Sequence, residues 1–178
     1  LWTPAGTIEI TGTGYAPEGE LRSSGEMSPA TLEAAVELLR AAVLCNDAAL
    51  DNDGGRWTIV GDPTEGALVV AARKAKLDEE SLREAHERLD AIPFDSERQF
   101  MVTLHATAEG GRLVCVKGAP EVVAKLCPSI EGGAQELGVV HEAAQAMAER
   151  GMRDVVLLEA QTLGHGASGR NGGFVFGG

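Results

Sequence analysis

Aromatic side chains are scarce: four Phe, two Trp and one Tyr make up 4% of 178 residues. Basic residues are also in deficit, 15 Lys and Arg against 27 Asp and Glu, for a formal net charge of -12. That balance excludes nucleic acid or an anionic membrane as the main partner. Any bound anion needs a local basic cluster. The three cysteines (Cys45, Cys115, Cys127) are odd in number, widely spaced and set in apolar contexts. They exclude a disulfide frame or zinc site and read as reduced, structural thiols of a cytosolic protein. The four histidines (His86, His105, His141, His165) show no ligand spacing. A run of about 18 apolar residues and a basic-then-apolar start are both lacking, so neither a membrane span nor a signal peptide is expected. The length suits one domain that buries about 70% of its unfolded surface.

What is present reads as helices and strands in irregular alternation. Thr7–Gly12 alternates like a strand, and a Gly/Pro-rich loop follows to about Gly25. Ser28-Pro29 is a helix start, a capping hydroxyl with Pro at the first helical position. Leu32, Val36, Leu39 and Val43 then recur at helical spacing to about Cys45. Asp51-Asn52-Asp53-Gly54 is turn chemistry before a strand at Trp57–Val60; its spacing fails that of a calcium loop. Asp62-Pro63-Thr64-Glu65 repeats the start signal, with Glu65 placed as in a capping box. The helix after it is apolar enough to pack inside. A polar helix at about Glu79–Arg88 leads to two strands, "RQFMVTLHA" and "GRLVCVKG", joined as a hairpin by "TAEGG". Short helices near Pro120–Leu126 and Val139–Arg150 precede a last strand, "DVVLLEA", and a Gly-rich tail. The pattern predicts an antiparallel or mixed sheet with helices packed on it.

Four segments offer chemistry. "GDPTEGAL" is a helix cap that also carries the Glu65 carboxylate. "IPFDSERQFM" places Phe94 after a Pro; in so aromatic-poor a chain it is the best candidate to stack on a planar ligand. "VKGAPE" puts Lys117 at a strand end beside a helix start, a reasonable anion site, and "ERGMRDVV" puts Arg153 before the last strand. An aromatic to stack a base, a carboxylate to accept from an amino group and cations for phosphates describe a nucleotide site. No nucleophile–base pair or metal cluster accompanies them, so binding without chemistry is expected.

These segments occur in the order found in a known family. With "ITGTGYAPEGEL", "LCNDAAL", "GDPTEGAL", "IPFDSERQFMVTLH" and "VCVKGAPEVV", the chain resembles the cytosolic nucleotide-binding domain of P-type cation-transporting ATPases, nearest the calcium-pump-like branch, from Leu1 to about Arg153. The resemblance implies an α+β fold, an antiparallel sheet of about six strands flanked by helices. It implies that Phe94 stacks on adenine, Glu65 contacts the adenine edge, Lys117 and Gly118 line the ATP pocket, and Arg153 reaches toward the phosphates. Gln99 stands where the family is commonly basic, which leaves Arg98 to compensate in part. The phosphorylated D-K-T-G-T aspartate, the actuator loop and the membrane helices are not in this sequence. The resemblance thus implies a cytoplasmic domain that binds ATP, as Mg-ATP in the intact pump, and presents it to an aspartate elsewhere. Phosphorylation and actuator domains are its implied partners, with no direct membrane contact and a monomeric state in isolation.

The C-terminus departs from that pattern. "RDVVLLEAQTLGHGASGRNGGFVFGG" resembles FAD-dependent amino-acid-oxidase-like oxidoreductases, in which Glu159 would hold the ADP ribose and Ser168, Arg170 and Asn171 would lie near the flavin. The upstream Gly-rich turn and the substrate domain of that family are not here, so FAD is not expected to bind and the chain reads as a hybrid. Gly164–Gly169 spells G-x-G-x-x-G, yet its preceding strand is expected to end too early and no helix is expected after it. The expected organisation is an ATP-binding domain over residues 1–160 and a tail over 161–178, mobile from about Leu163, with "DVVLLEA" as the domain's last strand and Asp154 turned outward.

Overall fold

The computed structural model describes residues 1–23, 27–126, 142–147, 149, 156–163 and 172–176. Short strands β1 (Trp2–Thr3), β2 (Gly6–Thr7), β3 (Glu9–Ile10) and β4 (Leu21–Arg22) lead to helix α1 (Pro29–Leu44). A hairpin of β5 (Ala49–Asp53) and β6 (Arg56–Val60) separates α1 from α2 (Pro63–Lys74) and the short α3 (Glu79–Ala85). Strands β7 (Arg88–Asp95), β8 (Phe100–Ala106) and β9 (Arg112–Gly118) follow, then α4 (Pro120–Leu126), a helical stretch at 142–147, and strands β10 (Val156–Leu163) and β11 (Gly172–Phe176).

The fold is α+β, and its main sheet is antiparallel with the order β2-β1-β11-β10-β9-β8-β7. It has seven strands where about six were expected, and β3–β4 and β5–β6 stand apart as two-stranded ribbons. The difference arises at both chain ends. The alternating Thr7–Gly12 run divides between β2 and β3 at the buried Ile8, and β1 is too short to show a period. Gly172–Phe176, expected to belong to a mobile tail, instead pairs as β11 with β10 and β1. Its Phe-Val-Phe run has strand propensity, and β10 would otherwise present an unpaired edge. Strand β10 at Val156–Leu163, which overlaps the "DVVLLEA" run, pairs antiparallel with β9. Asp154, Ser168, Arg170 and Asn171 lie outside the described residues.

Helices cover both faces of the sheet. On β8 the side chains alternate, and Met101, Thr103 and His105 are buried on one face. Against them α1 packs Ala41, Leu44 and Cys45, together with Cys115 of β9. Helix α2 packs behind, its Ala71 and Ala72 against Leu39 and Val43. On the other face Val123 and Ala124 of α4 meet Trp2, Phe100 and Val116, with Ala144 and Met147 of the 142–147 stretch. Local chemistry starts each long helix as read from sequence: Ser28 Oγ accepts from the Thr31 N–H, and Asp62 Oδ1 accepts from the Thr64 and Glu65 N–H groups. Leu32, assigned to the apolar stripe of α1, is 42% exposed, because the buried face runs beside it through Thr31, Ala35 and Leu38 and widens only toward the C-terminal end of the helix.

Two core features carry measurable consequences. A Cβ on Gly66 would lie 2.5 Å from Ile59 Cγ2, so this glycine lets α2 approach β6. Gly66→Ala is expected to destabilise by about 1–3 kcal/mol through overpacking, read as a lower urea midpoint. His105 is 2% exposed, and its Nδ1 bonds the His86 carbonyl at 3.0 Å. Burial holds its pKa below the ordinary imidazole value, with that hydrogen bond opposing the shift and the Arg88 charge adding to it. The unfolded chain therefore takes up this proton first. Stability from neutral His105 is fully present above pH ~6.5 and is lost as pH falls toward the lower folded value. Urea denaturation across that window should show the decline, and His105→Gln should flatten it.

Candidate functional site

Period-two alternation puts Lys117 on the same sheet face as Cys115, the face that α1 and α2 cover. Lys117 is 6% exposed, and its Nζ lies 2.5 Å from Glu65 Oε1 at the start of α2. Glu65 Oε2 accepts from the Asp47 N–H at 3.1 Å. Glu65 is thus no capping-box partner: Asp62 caps α2 alone, and the Glu65 carboxylate turns inward to β9 and to the segment after α1.

That segment is itself clasped. Asn46, fully buried, donates from Nδ2 to the Glu65 carbonyl at 2.9 Å and accepts at Oδ1 from the Ala48 N–H at 2.8 Å. Arg88, at the head of β7, donates to the Leu44 and Asn46 carbonyls at 3.0 and 2.7 Å and to Asp47 Oδ1 at 2.5 Å. It satisfies carbonyls that the end of α1 leaves open, where the last turn has no basic residue of its own.

A cavity of ≈ 680 Å³ opens over this floor, between α2, the end of β9 and the end of β7. Glu65, Lys117, Gly118 and Phe94 all line it, with Asp47, Gln99 and Met101 among their neighbours. Phe94 is 58% exposed on edge strand β7. The ladder with β8 shifts register between Ile92 and Asp95, so Pro93 and Phe94 sit out of regular pairing. Pro93, which has no N–H to pair, is tolerated there, and the bulge aims the Phe94 ring at the cavity.

The turn below Phe94 is fixed by its own hydrogen bonds. Asp95 Oδ1 accepts from the Glu97 and Arg98 N–H groups at 2.9 and 3.0 Å, which holds its carboxyl below the usual carboxylate range. Gln99 is left-handed, with φ 59°, and its carbonyl accepts from the Ala119 N–H at 3.0 Å. A Cβ on Gly118 would lie 2.3 Å from that carbonyl, so Gly118 permits the two backbones to close. Arg98 does not line the cavity; its guanidinium stands 3.9 Å from Asp95 and its side chain is 52% exposed. The Asp95 turn directs Arg98 to solvent, while Gln99 itself lines the cavity. Arg153 lies outside the described residues.

Four of the six expected site residues thus meet in one cavity. The sequence reading missed Asn46 and Arg88, whose roles depend on partners distant in the chain; the only local signal for Asn46 was its place beside the helix end. Cys45 Sγ donates to the Met101 carbonyl at 3.6 Å, and burial pushes its thiol pKa up to about 11, so it is no nucleophile at neutral pH. Strand β10 runs to Leu163, directly before the G-x-G-x-x-G letters, a correction to its expected end. Residues 164–171 lie outside the described residues, and the next described element is a strand.

The Glu65–Lys117 pair is testable by itself. Lys117→Met leaves a nearly buried carboxylate with one backbone partner and should cost about 3 kcal/mol in urea denaturation. Combining it with Glu65→Gln should cost less than the sum of the single changes. Additive costs would show that the pair is not coupled.

Residues 34–161 match the family model for the P-type ATPase cytoplasmic domain N. The chain is 42% identical over 160 residues to the "Probable cation-transporting ATPase F" of Mycobacterium bovis, covering 86% of this chain and 18% of that protein. It is 39% identical to the "Cation-transporting ATPase pma1" of Synechocystis, covering 82% and 17%, and 32% identical to the human "Calcium-transporting ATPase type 2C member 1", covering 88% and 18%. The chain spans under a fifth of the length of these relatives. Among the described residues no helix is long and apolar enough to cross a membrane. With its family-model match over most of its length and its Glu65, Phe94 and Lys117 gathered at one cavity, the chain belongs to the P-type ATPase family as a cytoplasmic nucleotide-binding domain N.

Proposed function

We propose that this domain holds ATP in the cavity beneath Phe94 and presents its γ-phosphate to an aspartate in a separate phosphorylation domain of a cation pump. The observation that carries the reading is the convergence of Phe94, Glu65, Lys117 and Gly118, from three separate elements, on one cavity of ≈ 680 Å³. Phe94 offers an exposed ring for adenine, and the Glu65 carboxylate is an acceptor for an exocyclic amino group. Gly118 keeps the wall thin beside the base. Arg98 and Arg153 are proposed on the phosphate side, Arg98 as a solvent-exposed charge. Mg²⁺ enters as part of the substrate complex. Phosphoryl transfer then depends on positioning and metal electrostatics in the partner domain, because no D-K-T-G-T aspartate stands in this sequence.

Similarity to the human calcium-transporting ATPase named above, 32% identical, supports placement in the calcium-pump-like branch. The phosphorylation and actuator domains of such a pump are the proposed partners. The domain itself is proposed to be monomeric and without direct membrane contact. Entry of β10 and β11 into the ATPase-like sheet favours a structural role for the flavoprotein-like segment over a flavin site.

Titration with ATP, followed by tryptophan fluorescence or chemical shifts, tests this. Saturable binding is expected, weakened roughly 5- to 150-fold by Phe94→Ala, since stacking contributes ~1–3 kcal/mol per base. Lys117→Ala should also weaken it. FAD binding that survives both substitutions would overturn the reading.

A further inference from the structure

Given an adenine stacked on Phe94 with its amino group toward Glu65, as proposed above, the direction of the Glu65 carboxylate decides how well that group is accepted. A carboxylate oxygen accepts best near its own plane, along its lone pairs. A glutamate side chain keeps such a plane only when both oxygens are tied. Here both are, Oε1 to Lys117 Nζ at 2.5 Å and Oε2 to the Asp47 N–H at 3.1 Å. Of the lining carboxylates, Asp47, Asp62 and Glu65, only Glu65 is held at both oxygens among the described residues. Thr64, Ser96 and Gln99 line the cavity as neutral donors and acceptors, and neutral hydrogen bonds are weaker than those to a carboxylate.

The two ties differ in what anchors them. Lys117 sits in β9, which is paired on both sides, with β8 and with β10. Asp47 lies in residues 45–48, which are neither helix nor strand, so the place of its N–H depends on side chains from other elements. Arg88 supplies three of those contacts, to the Leu44 and Asn46 carbonyls and to Asp47 Oδ1. Arg83 of α3 supplies one, to the Ala48 carbonyl at 3.1 Å. Arg88 does not line the cavity. It heads β7, the strand whose far end carries Phe94. We propose that Arg88 is a positioning residue for base selection: acting through Asp47, it aims the Glu65 carboxylate and sets the preference for a 6-amino purine over the same purine without that group.

Calorimetric titration of the full chain with ATP and with purine riboside triphosphate, which lacks only the 6-amino group, reads that preference directly. A hydrogen bond to a charged acceptor predicts ATP binding about tenfold tighter than the analogue. In Arg88→Ala the ratio is expected to fall to within about twofold of one, while the analogue's own dissociation constant stays within about twofold of its original value. Arg83→Ala, which removes a contact from the same segment but none to Asp47, should keep the ratio. If Arg88→Ala no longer unfolds cooperatively in urea, Arg88→Lys is read instead. Its ammonium keeps the charge but lacks the planar fork that reaches all three acceptors, so the ratio should fall in the same direction. A ratio that persists in the Arg88 variant, an equal loss for both ligands, or an equal fall in Arg83→Ala would each overturn the inference while nucleotide binding stands. So would a ratio near one in the unsubstituted chain. Failure of both ligands to bind that chain would overturn the nucleotide reading as well.

Discussion

The ion pair between Glu65 and Lys117 joins the first turn of α2 to the end of β9, across 52 residues of sequence. Both side chains are largely buried, 14% and 8% exposed. Burying two charges costs desolvation that mutual attraction offsets only when the remaining polar atoms also find partners. Glu65 finds one in the Asp47 N–H, and Asp47 is held in turn by Arg88. Arg88 also closes the carbonyls at the end of α1. One chain of charge-assisted contacts therefore fixes α1, α2, β7 and β9 around the floor of the cavity. The polar floor doubles as structural glue, so the site and the stability of its walls share residues.

Two glycines set how closely those walls approach. Gly66 brings α2 onto Ile59 of β6, and Gly118 brings the end of β9 under the Gln99 carbonyl. In each case the requirement is space, since neither residue adopts a left-handed backbone. The second contact matters most for the site. It ties the Asp95–Gln99 turn to the strand that carries Lys117, and so relates the position of Phe94 to that of the buried pair.

Much of this was legible in sequence, but unevenly. The starts of α1 and α2 were readable because Ser28-Pro29 and Asp62-Pro63 act on N–H groups two or three residues away. Strands β8 and β9 were readable from alternation. Strand β7 was not, because Pro93 and two register shifts break its period. Those same irregularities aim Phe94. The spacing of Glu65 matched a capping box, and only the fold shows its carboxylate spent on Lys117. Asn46 and Arg88 were illegible for the same reason: their partners lie 19 and 41 to 44 residues away, and no local pattern encodes such contacts. Strand β10 was legible from its β-branched content; its pairing with β11 was not.

In the proposed function, the base and the reacting phosphate make different demands on the site. Binding energy spent on the reacting phosphate would be felt equally before and during transfer, and would not speed it. Energy drawn from the remote base instead holds the ligand without committing the group that must move. Phe94 lies on edge strand β7 and is 58% exposed, so a base stacked on it as proposed enters and leaves without rearrangement of the core. The carboxylates around Lys117 work in the same direction. Lys117, the one basic side chain among the described residues that line the cavity, is engaged by Glu65. A neutral Gln99 in the turn beneath the ring fits this arrangement, since its backbone carbonyl, and not its side-chain charge, is what the fold uses.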